Sequence, residues 1–125
     1  MSPTQRSLAH LRKQGYVCQV VEHWNAFAKR RVDLFGVIDI VCLGGGLLGV
    51  QTTTGDNLSK RVQKMLNEPS VIAWLSSGGK LVAHGWSKKG PRGKAKKWTL
   101  REVSIELSIG TSREGLIPLA IEAQS

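Results

Sequence analysis

The chain has 125 residues, of which 41% are hydrophobic, enough to bury the core of one domain. Eighteen Lys and Arg against nine Asp and Glu leave a net charge of +9, which favours a polyanionic partner, usually nucleic acid, and says nothing about fold. The polar start MSPTQRSLAHLRKQG is unlike a signal peptide, and no apolar run reaches membrane-spanning length, so the expectation is a cytoplasmic protein with no membrane partner.

Thr4 to Gln14 read as a short helix with Leu8 and Leu11 on one side and Gly15 as its stop. Tyr16 to Trp24 is rich in β-formers and reads as a strand, followed by a basic loop from Asn25 to Asp33 that carries Lys29, Arg30 and Arg31. Gly36 to Leu43 and Leu47 to Thr53 are two further strands around the Gly44–Gly46 triplet. Cys18 and Cys42 lie in apolar runs without zinc-site spacing and are expected to be reduced. A helix from about Asn57 to Asn67 follows, capped by Asp56 or Asn57, with Leu58, Val62, Met65 and Leu66 on its apolar face and Pro69 as its end.

Val71 to Leu75 and Leu81 to Trp86 read as strands separated by a Ser-Ser-Gly-Gly turn. A Gly/Lys-rich loop, 87–97, leads to an alternating strand from Trp98 to about Ile109, and Leu116 to Ile121 form either a strand or a docked extension. The expected order is αβββαβββ, a mixed sheet with helices attached. It forms one domain over 1–125, with a core at about 4–86 and a C-terminal strand and tail at 98–125.

One acid, Asp39, sits inside a Val/Ile-rich run, where an unpaired charge costs several kcal/mol. If the three glycines form the hairpin loop, Leu43 faces Leu47. Counting back then pairs Asp39 with Gln51 and Val37 with Thr53, and all three polar side chains project from one side. Such an oxygen cluster suits a hard cation. The competing reading of Asp39 is an ion pair with Arg30, Arg31 or Lys60.

Asp39, eleven residues and then Gln51-Thr52-Thr53 resemble the D…(D/E)xK signature of the PD-(D/E)XK nuclease superfamily. Gly36-Val37-Ile38-Asp39 is similar to the GxxD element of its VRR-NUC and Holliday-junction-resolvase-like branch, and Gly55 with Asn57-Leu58-Ser59 to the helix start that follows. The resemblance implies a restriction-endonuclease-like αβββαβ core with extra C-terminal strands. It also implies a DNA endonuclease that uses Mg²⁺ or Mn²⁺, duplex or branched DNA as partner, and a symmetric homodimer. By position, Asp39 is the metal aspartate, Gln51 stands for the usual Glu, Thr52 supplies a carbonyl, and Thr53 stands where lysine is usual. Gln51 brings no charge and Thr53 no cation, so Lys60 is the candidate replacement cation, and Glu22, as a metal ligand, or Asp33 the candidate additional acid. The glutamate of the first helix is missing, with Gln5 or Gln14 as weak stand-ins.

Phosphate contacts are expected from Lys29, Arg30, Arg31, Arg61 and Lys64, and from the loop residues Lys88, Lys89, Arg92, Lys94, Lys96 and Lys97. The alternative to an enzyme is a nuclease-fold module without activity that binds nucleic acid or a protein complex. His10, His23 and His84 have no ligand or triad spacing and are expected to pack or face solvent.

Overall fold

A computed structural model describes residues 1–90, 96–109 and 116–123. It begins with α1 (Pro3–Lys13), where Ser2 Oγ accepts the backbone N–H of Gln5 and Pro3 occupies the first turn. Then come β1 (Val17–Val20), β2 (His23–Asn25), β3 (Arg30–Val32), β4 (Ile40–Leu43) and β5 (Leu47–Thr54). A 3-10 turn over Gly55–Asn57 opens α2 (Leu58–Leu66), and α3 (Pro69–Ser76), β6 (Lys80–Lys89), β7 (Lys97–Ile109) and β8 (Leu116–Glu122) complete the chain.

Six strands form one mixed sheet in the order β1-β4-β5-β6-β7-β8, antiparallel except for the parallel pair β5 and β6. A parallel pair needs a crossover, and α2 and α3 supply it. Successive side chains of a strand face opposite ways, so the sheet serves two cores, one on each face. Ile40, Cys42, Leu48, Val50 and Val82 pack under Leu8 and Leu11 of α1. Leu81, Ala83, Val103 and Ile105 pack under Leu58, Val62 and Met65 of α2 and Val71 of α3. The molecule is thus α/β, with helices on both faces of the sheet. Among the described residues no helix is long and apolar enough to cross a membrane.

Several expectations need correction. The run Val71–Leu75 is helical, not a strand, and Pro69 starts this helix rather than ending the previous one. Glu68 Oε1 accepts from Ser70 N at 3.3 Å and Ser70 Oγ at 3.1 Å, making Glu68 an N-cap with proline at the first helical position. A short apolar run does not distinguish buried helix from strand by itself, and the crossover geometry decides it.

The strand expected over Tyr16–Trp24 breaks at Val21-Glu22, where both backbone amides turn to the carbonyl of Asp39 (2.8 and 3.4 Å). Beyond that point β2 pairs with β3 in a separate hairpin, so the expected basic loop is partly strand. The turn of this hairpin is held by Asn25 Oδ1, which accepts from the amides of Phe27 and Ala28, both at 3.0 Å.

The strand expected from Gly36 begins only at Ile40, because Leu34 and Ile38 bond each other around a tight turn. Phe35 and Gly36 take φ values of 53° and 77° there, the second natural for glycine. The register around the glycine triplet is the expected one, from Leu43 opposite Leu47 through Ile40 opposite Val50. The pairing of Val37 with Thr53 is absent, since Val37 belongs to the turn. Cys18 and Cys42 are free thiols facing each other across β1 and β4.

Candidate metal centre and its surroundings

Two ladders meet at Asp39. Val20 pairs with Ile40, which places Val21 and Glu22 beside Asp39 at the point where β1 ends. His23 pairs with Val32, so Glu22 and Asp33 stand at the two feet of the β2–β3 hairpin. Glu22, Asp33 and Asp39 each offer a carboxylate oxygen within 4.8 Å of the others, a spacing that could hold a metal ion.

The cluster has a firm floor. Asp39 is 2% exposed, and its Oδ2 accepts from Gln51 Nε2 (2.8 Å), Thr52 N (2.8 Å) and Thr52 Oγ1 (3.1 Å). Thr52 Oγ1 also bonds Thr4 Oγ1 at 2.8 Å, which ties α1 to the site. Among the described residues, the buried oxygens Asp39 Oδ1 and Gln51 Oε1 are left without a donor. A buried acceptor with no partner costs on the order of 1–3 kcal/mol, more when charged. Burial first, then a hydrogen bond with Asp33, pushes the Asp39 carboxyl up to about 8, against the backbone N–H of Thr52. Three close carboxylates are the kind of all-oxygen set that hard divalent cations take.

The sequence-predicted residues divide into groups. Asp39, Gln51, Thr52 and Glu22 come together. Thr53 is buried on the next position of β5 and makes no hydrogen bond to Asp39 among the described residues. Lys60 is exposed on α2 and is not ion-paired with Asp39. Among the described residues, the cation that does touch the cluster is Arg31, whose Nη1 lies 3.2 Å from Glu22 Oε1. Gln5 and Gln14 are exposed, and Thr4 is the α1 side chain that reaches the site. Sequence reasoning missed Thr4 because a hydroxyl in a first helical turn reads as a cap.

The basic residues surround one end of the sheet. β5 and β6 run parallel, with Thr52 opposite His84 and Thr54 opposite Trp86, so Lys88 and Lys89 continue beyond the acid cluster at that same end. Lys96 and Lys97 return beside them, Lys97 opposite Lys89. α2, with Lys60, Arg61 and Lys64, starts from this end after Thr54. Its approach depends on Gly55 and Gly85: a Cβ on Gly55 would strike Ser87 Oγ, and one on Gly85 would lie 2.9 Å from Leu58. Lys29 and Arg30 are exposed on the hairpin. Arg92 and Lys94 lie outside the described residues. Trp98 is 43% exposed, with the Arg6 guanidinium 3.6 Å from its ring centroid.

A second polar cluster lies on the α1 face. Ser7 Oγ bonds His84 Nδ1 (2.9 Å), His84 Nε2 bonds Glu102 Oε2 (2.8 Å), and Trp86 Nε1 donates to Ser7 Oγ (2.8 Å). Its members match a Ser-His-acid set, which the sequence spacing did not suggest. Ser7 is 0% exposed and its oxygen already accepts from Trp86, so it cannot reach a substrate. The His84 hydrogen bond, ahead of the opposing effect of burial, holds the Glu102 carboxyl below its ordinary range. This cluster is structural.

No known protein family, curated protein or solved structure matches this chain in comparisons of sequence and structure.

Proposed function

We propose that this chain is a metal-dependent phosphodiesterase acting on DNA, built on a restriction-endonuclease-like core, with Glu22, Asp33, Asp39 and Gln51 as its metal centre. The observation that carries this reading is the pairing of three close carboxylates with two buried oxygens that lack donors. Such a group is held together by a proton or by a cation. Glu22, Asp33 and Asp39 would hold Mg²⁺ or Mn²⁺, and Gln51 Oε1 would add a neutral oxygen. Thr52, braced by Thr4, fixes the Asp39 carboxylate through its backbone N–H and hydroxyl. The bound ion would supply Lewis-acid chemistry and lower the pKa of a water at the phosphodiester. Arg31, Lys29 and Arg30 on one side, and Lys88, Lys89, Lys96 and Lys97 on another, would hold phosphates with strong salt dependence and little sequence preference. The resemblance to the resolvase-like branch adds branched DNA and a symmetric dimer, one copy for each strand.

A module that binds without cutting is the second reading, favoured by one observation: Gln51 brings no charge and Thr53 no cation beside Asp39. A cleavage assay with Mn²⁺ on plasmid, single-stranded and four-way-junction DNA separates the two. The enzyme reading predicts cutting by the native protein and a loss of about 100-fold or more in Asp39→Ala, since even outer partners of a metal site cost about 10–100-fold. Equal cutting by both proteins would sink the site. Salt-sensitive binding without cutting by either would establish the module.

A further inference from the structure

The β2–β3 hairpin is anchored at the acid cluster by both ends, with Glu22 immediately before it and Asp33 immediately after it. Its outward surface is unusual for so short an element. Trp24 is 61% exposed and Phe27 is fully exposed at 102%. Phe27 buries no surface and Trp24 is more exposed than buried, so neither ring serves to fill a core. They are interleaved with cations: Arg31 lies directly opposite Trp24, Arg30 lies opposite Asn25, and Lys29 follows Phe27 in the turn. The turn itself is ordered by Asn25, so Phe27 is held out on a defined support.

We infer that this hairpin is a stacking arm for unpaired bases, and that the substrate class of the neighbouring acid cluster is a nucleic acid with single-stranded or splayed character. The inference rests on the metal-centre reading for where the strand is delivered, but not for the binding itself. Aromatic rings next to arginine and lysine suit a strand whose bases are free, because each free base offers a π-face and each phosphate a charge. A closed duplex presents only its phosphates and groove edges to such an arm, so Trp24 and Phe27 would find no faces to cover. At about 3.3 Å per residue, Phe27 lies at most roughly 17 Å along the chain from Glu22, within a few nucleotides of a phosphate at the acid cluster.

The test is equilibrium binding by fluorescence anisotropy in EDTA, so that cleavage plays no part. The ligands are a labelled thymidine homopolymer, a uridine homopolymer and a blunt duplex of equal length. The native protein should favour at least one homopolymer over the duplex, and the homopolymer bound tighter identifies the strand as DNA or RNA. Trp24→Ala with Phe27→Ala should weaken homopolymer binding by about tenfold or more while leaving the duplex affinity unchanged. Trp24→Phe with Phe27→Tyr should restore most of it. Both positions are exposed, and circular dichroism of each variant verifies the fold. Equal losses on homopolymer and duplex, no loss at all, or a native preference for duplex would overturn the arm. Sedimentation of the native protein with phosphatidylcholine vesicles and no homopolymer binding would overturn it in favour of a membrane contact. If Asp39→Ala cuts as well as the native protein, the metal centre fails while the arm stands. If only the ring variants behave as native, the arm fails while the metal centre stands.

Discussion

Two buried polar clusters lie on this one sheet, and they are built on opposite principles. At Ser7, His84, Trp86 and Glu102 the donors and acceptors match in sequence. With Glu102 ionised, His84 Nε2–H donates to it, Nδ1 accepts the Ser7 hydroxyl, and Ser7 accepts from Trp86. At Asp39 the acceptors outnumber the donors. Three carboxylates crowd together, Gln51 and Thr52 serve one oxygen, and Asp39 Oδ1 and Gln51 Oε1 are left over. The first arrangement is complete as a part of the fold. The second is complete only with something positive added. A Ser-His-Glu set is therefore the weaker functional signal here, although its members look more like catalytic machinery than a lone aspartate does.

The largest predicted effect breaks the closed cluster. His84→Ala removes a fully buried ring and strands Ser7 and Glu102, so stability should fall by about 3–4 kcal/mol in urea unfolding. Binding of Mn²⁺ should be unaffected if the folded protein is isolated. A matching loss of metal affinity would mean that the two clusters are coupled through β6.

Next in size is a gain at the open cluster. Gln51→Glu adds a fourth carboxylate beside Asp39, and Mn²⁺ affinity should rise by about tenfold or more by calorimetry. The metal-free protein should at the same time unfold at a lower temperature, since a further buried charge has no partner.

The pH dependence of the two clusters runs in opposite directions. The Asp39 carboxyl is raised to about 8, so its contribution to stability is present below the ordinary carboxylate range of about 4 and is lost as the pH climbs toward 8. Glu102 is lowered, so its contribution is present above its ordinary range and lost as the pH falls through it. In thermal melts, Asp39→Asn should flatten the loss above pH 5, and Glu102→Gln should flatten the loss in acid. The rise in melting temperature caused by Mn²⁺ should grow from pH 5 to pH 8, as the metal displaces a proton that is less firmly held.

The smallest effect is expected at Lys60. It is exposed and unpaired with the cluster, so Lys60→Ala should change turnover by less than about threefold through lost phosphate contact alone. Arg31→Ala should cost more. The reverse order would return Lys60 to the role that its position in the sequence suggests.

Much of this site was legible before the fold was known. Asp39 stood out because an acid in an apolar run is costly, and the glycine triplet fixed the register that brings Gln51 to it. Glu22 and Asp33 were legible as candidate acids, but that both meet Asp39 depends on strands that stop: β1 runs out of partner at Asp39 and the chain turns into a separate hairpin, and no local preference marks that break. The helix at Pro69–Ser76 was misread because VIAWL suits a buried strand or a buried helix equally. Only the parallel pairing of β5 with β6, which demands a crossover, distinguishes them. Thr4 and Ser7 were invisible for a similar reason: ordinary residues of the first helix acquire meaning from which sheet positions lie beneath them.

If the acids at the hairpin base form a metal centre, Mn²⁺ must bind through Asp39. In calorimetric titrations of Mn²⁺ at pH 8, the native chain and Glu102→Gln should bind saturably, and Asp39→Asn should lose about 100-fold or more in affinity. Equal binding by all three proteins, or none by the native chain, would rule the metal centre out.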